Sequence, residues 1–151
     1  MYSDSVTVFT RYEDSFGDIT WYPTVIHDVN LMIDKAAIVA KLGAESKDNA
    51  VLNIHYRTEN GQIMVADKPY LTPMNWERQT NDKLPLSITF ASGTEYDFFM
   101  LGDYGNTEPI KDEDFKGFFS YMKKEYDYVF AITSVAKFSK NTIPHFEIMG
   151  K

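Results

Sequence analysis

Tyr128-Val129-Phe130-Ala131-Ile132-Thr133, followed after a polar break by Ile143-Pro144-His145-Phe146-Glu147-Ile148, is the stretch on which the fold turns. Side chains alternate across a strand with a period of two. Tyr128, Phe130 and Ile132 therefore share one face, and Val129, Ala131 and Thr133 the other. The second run returns to strand-like spacing within a few residues of Lys151. The carboxyl end is accordingly expected to be a pair of structural strands and not a tail.

The same rhythm recurs upstream. Residues 5–12 are rich in β-branched and aromatic side chains and predict a first strand. Residues 14–18 form a turn cluster, residues 19–22 read as extended, and Pro23 suggests an edge or a bend. Residues 25–33 are again strand-like, with Val25, His27, Val29 and Leu31 on one face and a bulge expected near 31–33. Leu52, Ile54 and Tyr56 alternate with polar residues, and Asn60-Gly61 supplies a tight turn back into 62–65. Residues 68–84 read as a connection with a short strand or a turn of helix. Leu86, Ile88 and Phe90 are expected to pair as a second hairpin with 96–101. Asp112-Glu113-Asp114 sits where acids favour a helix amino end. Phe115, Phe118, Phe119 and Met122 then follow at helical spacing, for a helix of roughly three turns.

The expected fold class is mainly β, of the α+β kind: a small β-barrel or sandwich with one amphipathic helix near the carboxyl terminus. A single domain over 1–151 is the expectation, with a short helix or protruding loop at 34–49.

At 151 residues the chain can bury a core without disulfides or metals. It contains no cysteine, which removes disulfides, thiolate nucleophiles and cysteine-ligated zinc and fits a reducing compartment. The first residues lack the basic region and apolar run of a signal peptide, and no stretch approaches membrane-spanning length, so no membrane association is expected. With 15 Lys and Arg against 22 Asp and Glu, the net charge of -7 repels a polyanion, and sequence-specific nucleic-acid binding is not expected.

Chemistry-bearing motifs are sparse. His27, His55 and His145 fall on three predicted strands without the close spacing of a metal site, and ordinary strand histidines are the simpler reading. No Gly-x-Ser-x-Gly elbow occurs. Gly102-Asp103-Tyr104-Gly105 lacks the third glycine and the setting of a dinucleotide loop and reads as a surface turn. Glu108, Asp112, Glu113 and Asp114 lack calcium-loop spacing and read as a helix cap. No enzyme activity, cofactor or metal is expected. Eleven Phe, ten Tyr and two Trp point instead to core packing and to subunit contacts.

Met1-Tyr2-Ser3-Asp4-Ser5-Val6-Thr7-Val8-Phe9, Trp21-Tyr22-Pro23-Thr24-Val25 with Asp34-Lys35-Ala36, Trp76-Glu77-Arg78-Gln79-Thr80-Asn81-Asp82 and the two closing segments carry a resemblance. Through them the chain resembles short proteins encoded by tailed phages and prophages of Firmicutes, in the head–tail gene module. The resemblance implies a structural or assembly protein of the virion neck, made in the host cytoplasm and built into a head-completion or stopper-like ring around a DNA channel. Implied partners are further copies of the chain, the portal or adaptor protein, and tail-completion proteins. On this reading the channel-loop candidates are Asp34, Lys35, Lys41, Glu45, Lys47 and Asp48. Tyr2, Trp21 and Trp76 are candidates for subunit contacts, against the simpler reading that such aromatics pack in the core. An acidic channel wall would let DNA pass without the phosphate contacts that hold it. The alternative is a non-structural phage protein that modulates a host factor through an acidic surface, as an inhibitor or DNA mimic.

Overall fold

The computed structural model describes residues 2–34, 50–93 and 96–151. In chain order the strands are β1 (Asp4–Glu13), β2 (Ile19–Ile33), β3 (Ala50–His55), β4 (Arg57–Glu59), β5 (Gln62–Val65), β6 (Lys68–Pro69), β7 (Phe98–Leu101), β8 (Ile110–Lys111), β9 (Val129–Phe138) and β10 (His145–Gly150). The helices are α1 (Pro73–Glu77) and α2 (Phe118–Glu125). Six strands pair antiparallel in the order β1-β7-β9-β10-β3-β2, and β2 returns to β1, closing a barrel without a free edge strand. The fold is mainly β, and closure makes it a barrel and not a sandwich.

The pleat divides the apolar residues between two cores. Val8 of β1, Phe99 of β7, Phe130 and Ile132 of β9, and Phe146 and Ile148 of β10 point into the barrel, where Ile88 and Phe90 join them. The alternate residues Phe9, Phe98, Met100 and Val129 face outward and are covered by Phe118 and Met122 of α2. Each of these two helix side chains is fully buried, which contributes about 1.5–3 kcal/mol apiece. Phe146, Ile148 and the backbone bond between Ala131 and Lys151 make the last residues part of the barrel. Gly150 has a packing reason. A Cβ there would lie 2.8 Å from the Phe130 Cβ and 3.0 Å from the Phe99 ring.

Several local expectations are corrected. Residues 19–33 form one strand straight through Pro23, which sits on a locally unpaired edge, as one of the two alternatives had it, and not at a bend. Pro23 pairs with Phe9 of β1, while the other edge of β2 carries β8 only at Thr20–Trp21 and β3 only from Asn30 onward, so a missing N–H is tolerated there. The bulge lies at His27–Asp28 and not at 31–33: Asp4 faces Val29 and Val6 faces Ile26, and Asp28 takes a φ of 58°. That extra residue resets the alternation. Ile26 and Val29 both enter the core, and His27 is exposed.

The Asn60-Gly61 turn forms, both residues at positive φ (51° and 79°), as a type I′ hairpin requires. Its arms are β4 and β5, which belong to a separate three-stranded sheet, while Leu52 and Ile54 stay in the barrel. The second expected hairpin does not form. Residues 98–101 pair with β1 and β9 as an inner barrel strand, and Ile88 makes only a parallel bridge to Tyr70. The acids 112–114 open a short 3₁₀ turn, Asp112–Phe115, which ends at Lys116 with a φ of 54° before α2 begins. The helix is therefore little more than two turns. The channel-loop candidates Lys35, Lys41, Glu45, Lys47 and Asp48 lie outside the described residues.

Asp112 ties this helix to the barrel. One of its oxygens accepts hydrogen bonds from Trp21 Nε1 and from the Phe118 backbone N–H, both at 2.8 Å. Trp21 and Phe118 are both buried, so removing the carboxylate strands two donors. Asp112→Ala is expected to lower stability by about 2–4 kcal/mol in urea denaturation. A loss below about 0.5 kcal/mol, the size of an ordinary surface change, would show that the contact does not hold α2 in place.

Candidate functional site

The β1–β7 ladder runs from Val6↔Leu101 to Phe9↔Phe98 and then stops. Beyond it the next outward-facing donor of β1, the Arg11 N–H, is answered by a side chain: Asp97 Oδ1 accepts it at 2.9 Å. Asp97 Oδ2 accepts the Ala91 N–H at 2.8 Å, and the Asp97 N–H donates back to the Ala91 carbonyl at 3.0 Å. A third strand is joined when the Ile132 N–H donates to the Asp97 carbonyl. Asp97, 1% exposed, thus holds β1 and Ala91 through its buried carboxylate and β9 through its backbone carbonyl. Burial pushes its pKa up to about 7, against the opposing pull of the two backbone donors and of the Arg11 guanidinium.

A half-open cleft of about 280 Å³ lies over this carboxylate. The end of β1 and the following turn supply Arg11, Glu13 and Asp14, α1 supplies Pro73, Trp76 and Glu77, and Thr89, Ala91 and Asp97 precede β7 in the sequence. Arg11 bridges to Glu13 at 3.0 Å. Asp14 is fixed by its own turn, Oδ1 accepting from the N–H groups of Phe16 and Asp18. Trp76 is anchored edge-on against Tyr12 and Tyr22, with ring centroids 6.1 and 5.8 Å away. Lys68, outside the cleft, is half-buried; its ammonium donates to Thr24 Oγ1, and partial burial lowers its pKa despite the nearby Asp67.

The aromatic contact candidates separate. Trp21 and Trp76 are 4% and 2% exposed, so both are core residues and unavailable for subunit contacts. The reason is the pleat: Trp21 faces outward from β2 but under α2, and Trp76 closes α1 onto β1 and β2. Tyr2 is half-buried and stacks on His55 at 3.8 Å. The apolar side chains that do reach solvent are others, among them Phe16, Tyr126, Tyr128, Phe138 and Ile143. Asp34 is exposed immediately after β2.

The histidines only partly converge. His55 and His145 are direct cross-strand partners in β3 and β10, while His27 hydrogen-bonds Ser5 Oγ at 2.8 Å. Among the described residues no cluster of three or more His, Cys, Asp or Glu could hold a metal, and no helix is long and apolar enough to cross a membrane. Gly102-Asp103-Tyr104-Gly105 is a turn held by Thr7, whose hydroxyl donates to the Gly102 carbonyl and accepts from the Tyr104 N–H.

Asp97 was not singled out from the sequence. The available signal was an acid set directly in an aromatic run, Tyr96-Asp97-Phe98-Phe99. No curated protein and no solved structure matches this chain. A family model does, over residues 1–151, and the chain belongs to that family, DUF6751, a family of unknown function.

Proposed function

We propose that the chain is a phage neck component, a head-completion or stopper-like subunit that acts by assembly around a DNA channel and not by chemistry. The observation that carries this reading is the closed barrel together with the connection between two of its neighbouring strands. Ile33 and Ala50 are directly paired, and 16 residues separate them in the sequence. A closed barrel suits a subunit that packs side by side with its copies, and the channel-loop candidates fall in the β2–β3 connection. The sequence resemblance to head–tail module proteins points the same way, and the net charge of -7 suits a wall that DNA slides past.

With Trp21 and Trp76 buried, the subunit contacts fall to exposed side chains. Tyr126 and Tyr128 lie at the end of α2 and the start of β9, and Phe138 and Ile143 flank the β9–β10 turn. Such aromatic and aliphatic groups supply the apolar centre of an interface.

The test is the mass of the purified protein in solution, alone and mixed with the portal and tail proteins encoded beside it. A ring, or a monomer that assembles on the portal, is the expected outcome. A monomer that ignores both overturns the reading; one that also captures a host protein turns it toward the acidic inhibitor.

A further inference from the structure

Two hairpin ends project from one end of the barrel. β1 and β9 both run antiparallel to β7, which begins at Phe98 opposite Phe9 and Ala131. Both strands therefore continue past Phe98 in the same direction, β1 to Glu13 and β9 to Phe138, on either side of β7.

The β1–β2 turn carries Phe16, which is 89% exposed. Its backbone is fixed. Asp14 Oδ1 accepts from the N–H groups of Phe16 and Asp18, the Asp14 N–H donates to the Asp18 carbonyl at 3.0 Å, and Gly17, at a φ of 85°, donates to the Asp14 carbonyl. A phenyl ring presented to water on such a turn needs little further ordering to bind a partner. The β9–β10 turn exposes Phe138 and Ile143 and is also held in place: His145 Nδ1 donates to the Ile143 carbonyl at 2.8 Å, and the Tyr56 N–H donates to the Pro144 carbonyl. The His145 ring stacks on Phe138 with centroids 5.2 Å apart.

Charge decides what fits the first turn. Residues 12–18 carry Glu13, Asp14 and Asp18 and no base, whereas residues 136–146 carry Lys137 and Lys140, both exposed, and no acid. An acidic rim turns Phe16 away from a phosphate-bearing surface and toward an apolar patch edged by cations. The chain itself supplies that patch on the other turn, and at 89% exposure Phe16 does not pack on it within the same copy.

We propose that Phe16 of one copy packs against Phe138 and Ile143 of the next, with Asp14 and Asp18 facing Lys137 and Lys140. The proposal rests on the assembly reading above and names the contact that drives it. Because the two patches differ, the contact is head-to-tail, and such contacts close into rings when the rotation allows.

Sedimentation equilibrium of the purified full chain tests it, with Phe16→Ser as the tip variant and Lys140→Glu with Ile143→Ser as the turn variant. All three positions are exposed, so both variants are expected to keep the wild-type thermal transition. Each alone is expected to self-associate about 10- to 100-fold more weakly than the wild type, the worth of one large apolar side chain left in water. Mixed, the variants hold one intact tip and one intact turn between them and are expected to form a pair that grows no further. A wild-type chain that stays monomeric at every concentration, variants that associate as the wild type does, or a mixture that fails to pair overturns the proposal. The results also separate it from the neck reading. A ring that survives Phe16→Ser removes this contact and leaves that reading standing, whereas tip-to-turn assembly that ignores the portal keeps the contact and removes the neck.

Discussion

A chain shortened to end at residue 144 is expected not to fold. The missing residues form β10, which stands between β9 and β3 and carries the ladder to each. Without it the barrel opens, and two strands present unpaired edges. Phe146 and Ile148 leave the core as well; they are 1% and 0% exposed, and Phe146 packs against Tyr56, Tyr70 and Phe90. Truncating one buried phenylalanine alone costs about 3–5 kcal/mol, and a domain of this size has a total stability of only about 5–15 kcal/mol. Loss of the whole strand exceeds that margin. The shortened chain should show no cooperative thermal transition by circular dichroism and a collapsed amide spectrum. Phe146→Ala in the full chain should stay folded but less stable by about 3–5 kcal/mol. A shortened chain that unfolds cooperatively within about 2 kcal/mol of the full one would mean that β3 and β9 can close on each other without β10.

This expectation could be drawn from the sequence because the period-two pattern of the closing strands is local. The same holds for β1 and for the Asn60-Gly61 turn. What was not legible depended on partners distant in sequence. The alternation of residues 86–90 is real, since Ile88 and Phe90 do enter the core, but alternation does not say which backbone will answer. Here residues 98–101 are taken by β1 and β9. The bulge at His27–Asp28 was misplaced because an inserted residue shifts the pattern after it, and the irregularity shows in sequence a few positions downstream of its cause. For Trp21 and Trp76 the sequence leaves subunit contact open beside the simpler core reading, because the outward face of a strand can be either solvated or covered. In this fold α2 covers one such face, and α1 buries Trp76 against Tyr12 and Tyr22. Asp97 was hidden for a related reason. A carboxylate reads as polar surface until the end of the β1–β7 ladder leaves a backbone donor for it to answer.

That carboxylate should govern how stability depends on pH. Its pKa is raised from 3.8 to about 7 in the folded chain, so between these values the native state holds a proton that the unfolded state has released. Stability then falls as pH rises. The contribution is complete below about pH 4, declines through the interval and is gone above about pH 7. A difference of that size corresponds to about 4 kcal/mol between the two limits. Asp97→Asn should remove this slope while keeping one acceptor for the two backbone donors, whereas Asp97→Ala strands the N–H groups of both Arg11 and Ala91. Two unsatisfied buried donors cost about 2–6 kcal/mol, so the alanine variant is expected to be the weaker at every pH. Urea denaturation of the three proteins from pH 4 to 8 measures both effects, and the carbon signal of the Asp97 carboxyl reports its titration directly. If that signal titrates near pH 4 and the wild type and Asp97→Asn curves run parallel, the two backbone donors and Arg11 outweigh burial, and Asp97 is a charged anchor throughout. If it titrates near 7, the point where β1, β9 and the cleft meet loosens as pH rises through neutrality, because the same group that closes the ladder must then hold its charge out of water.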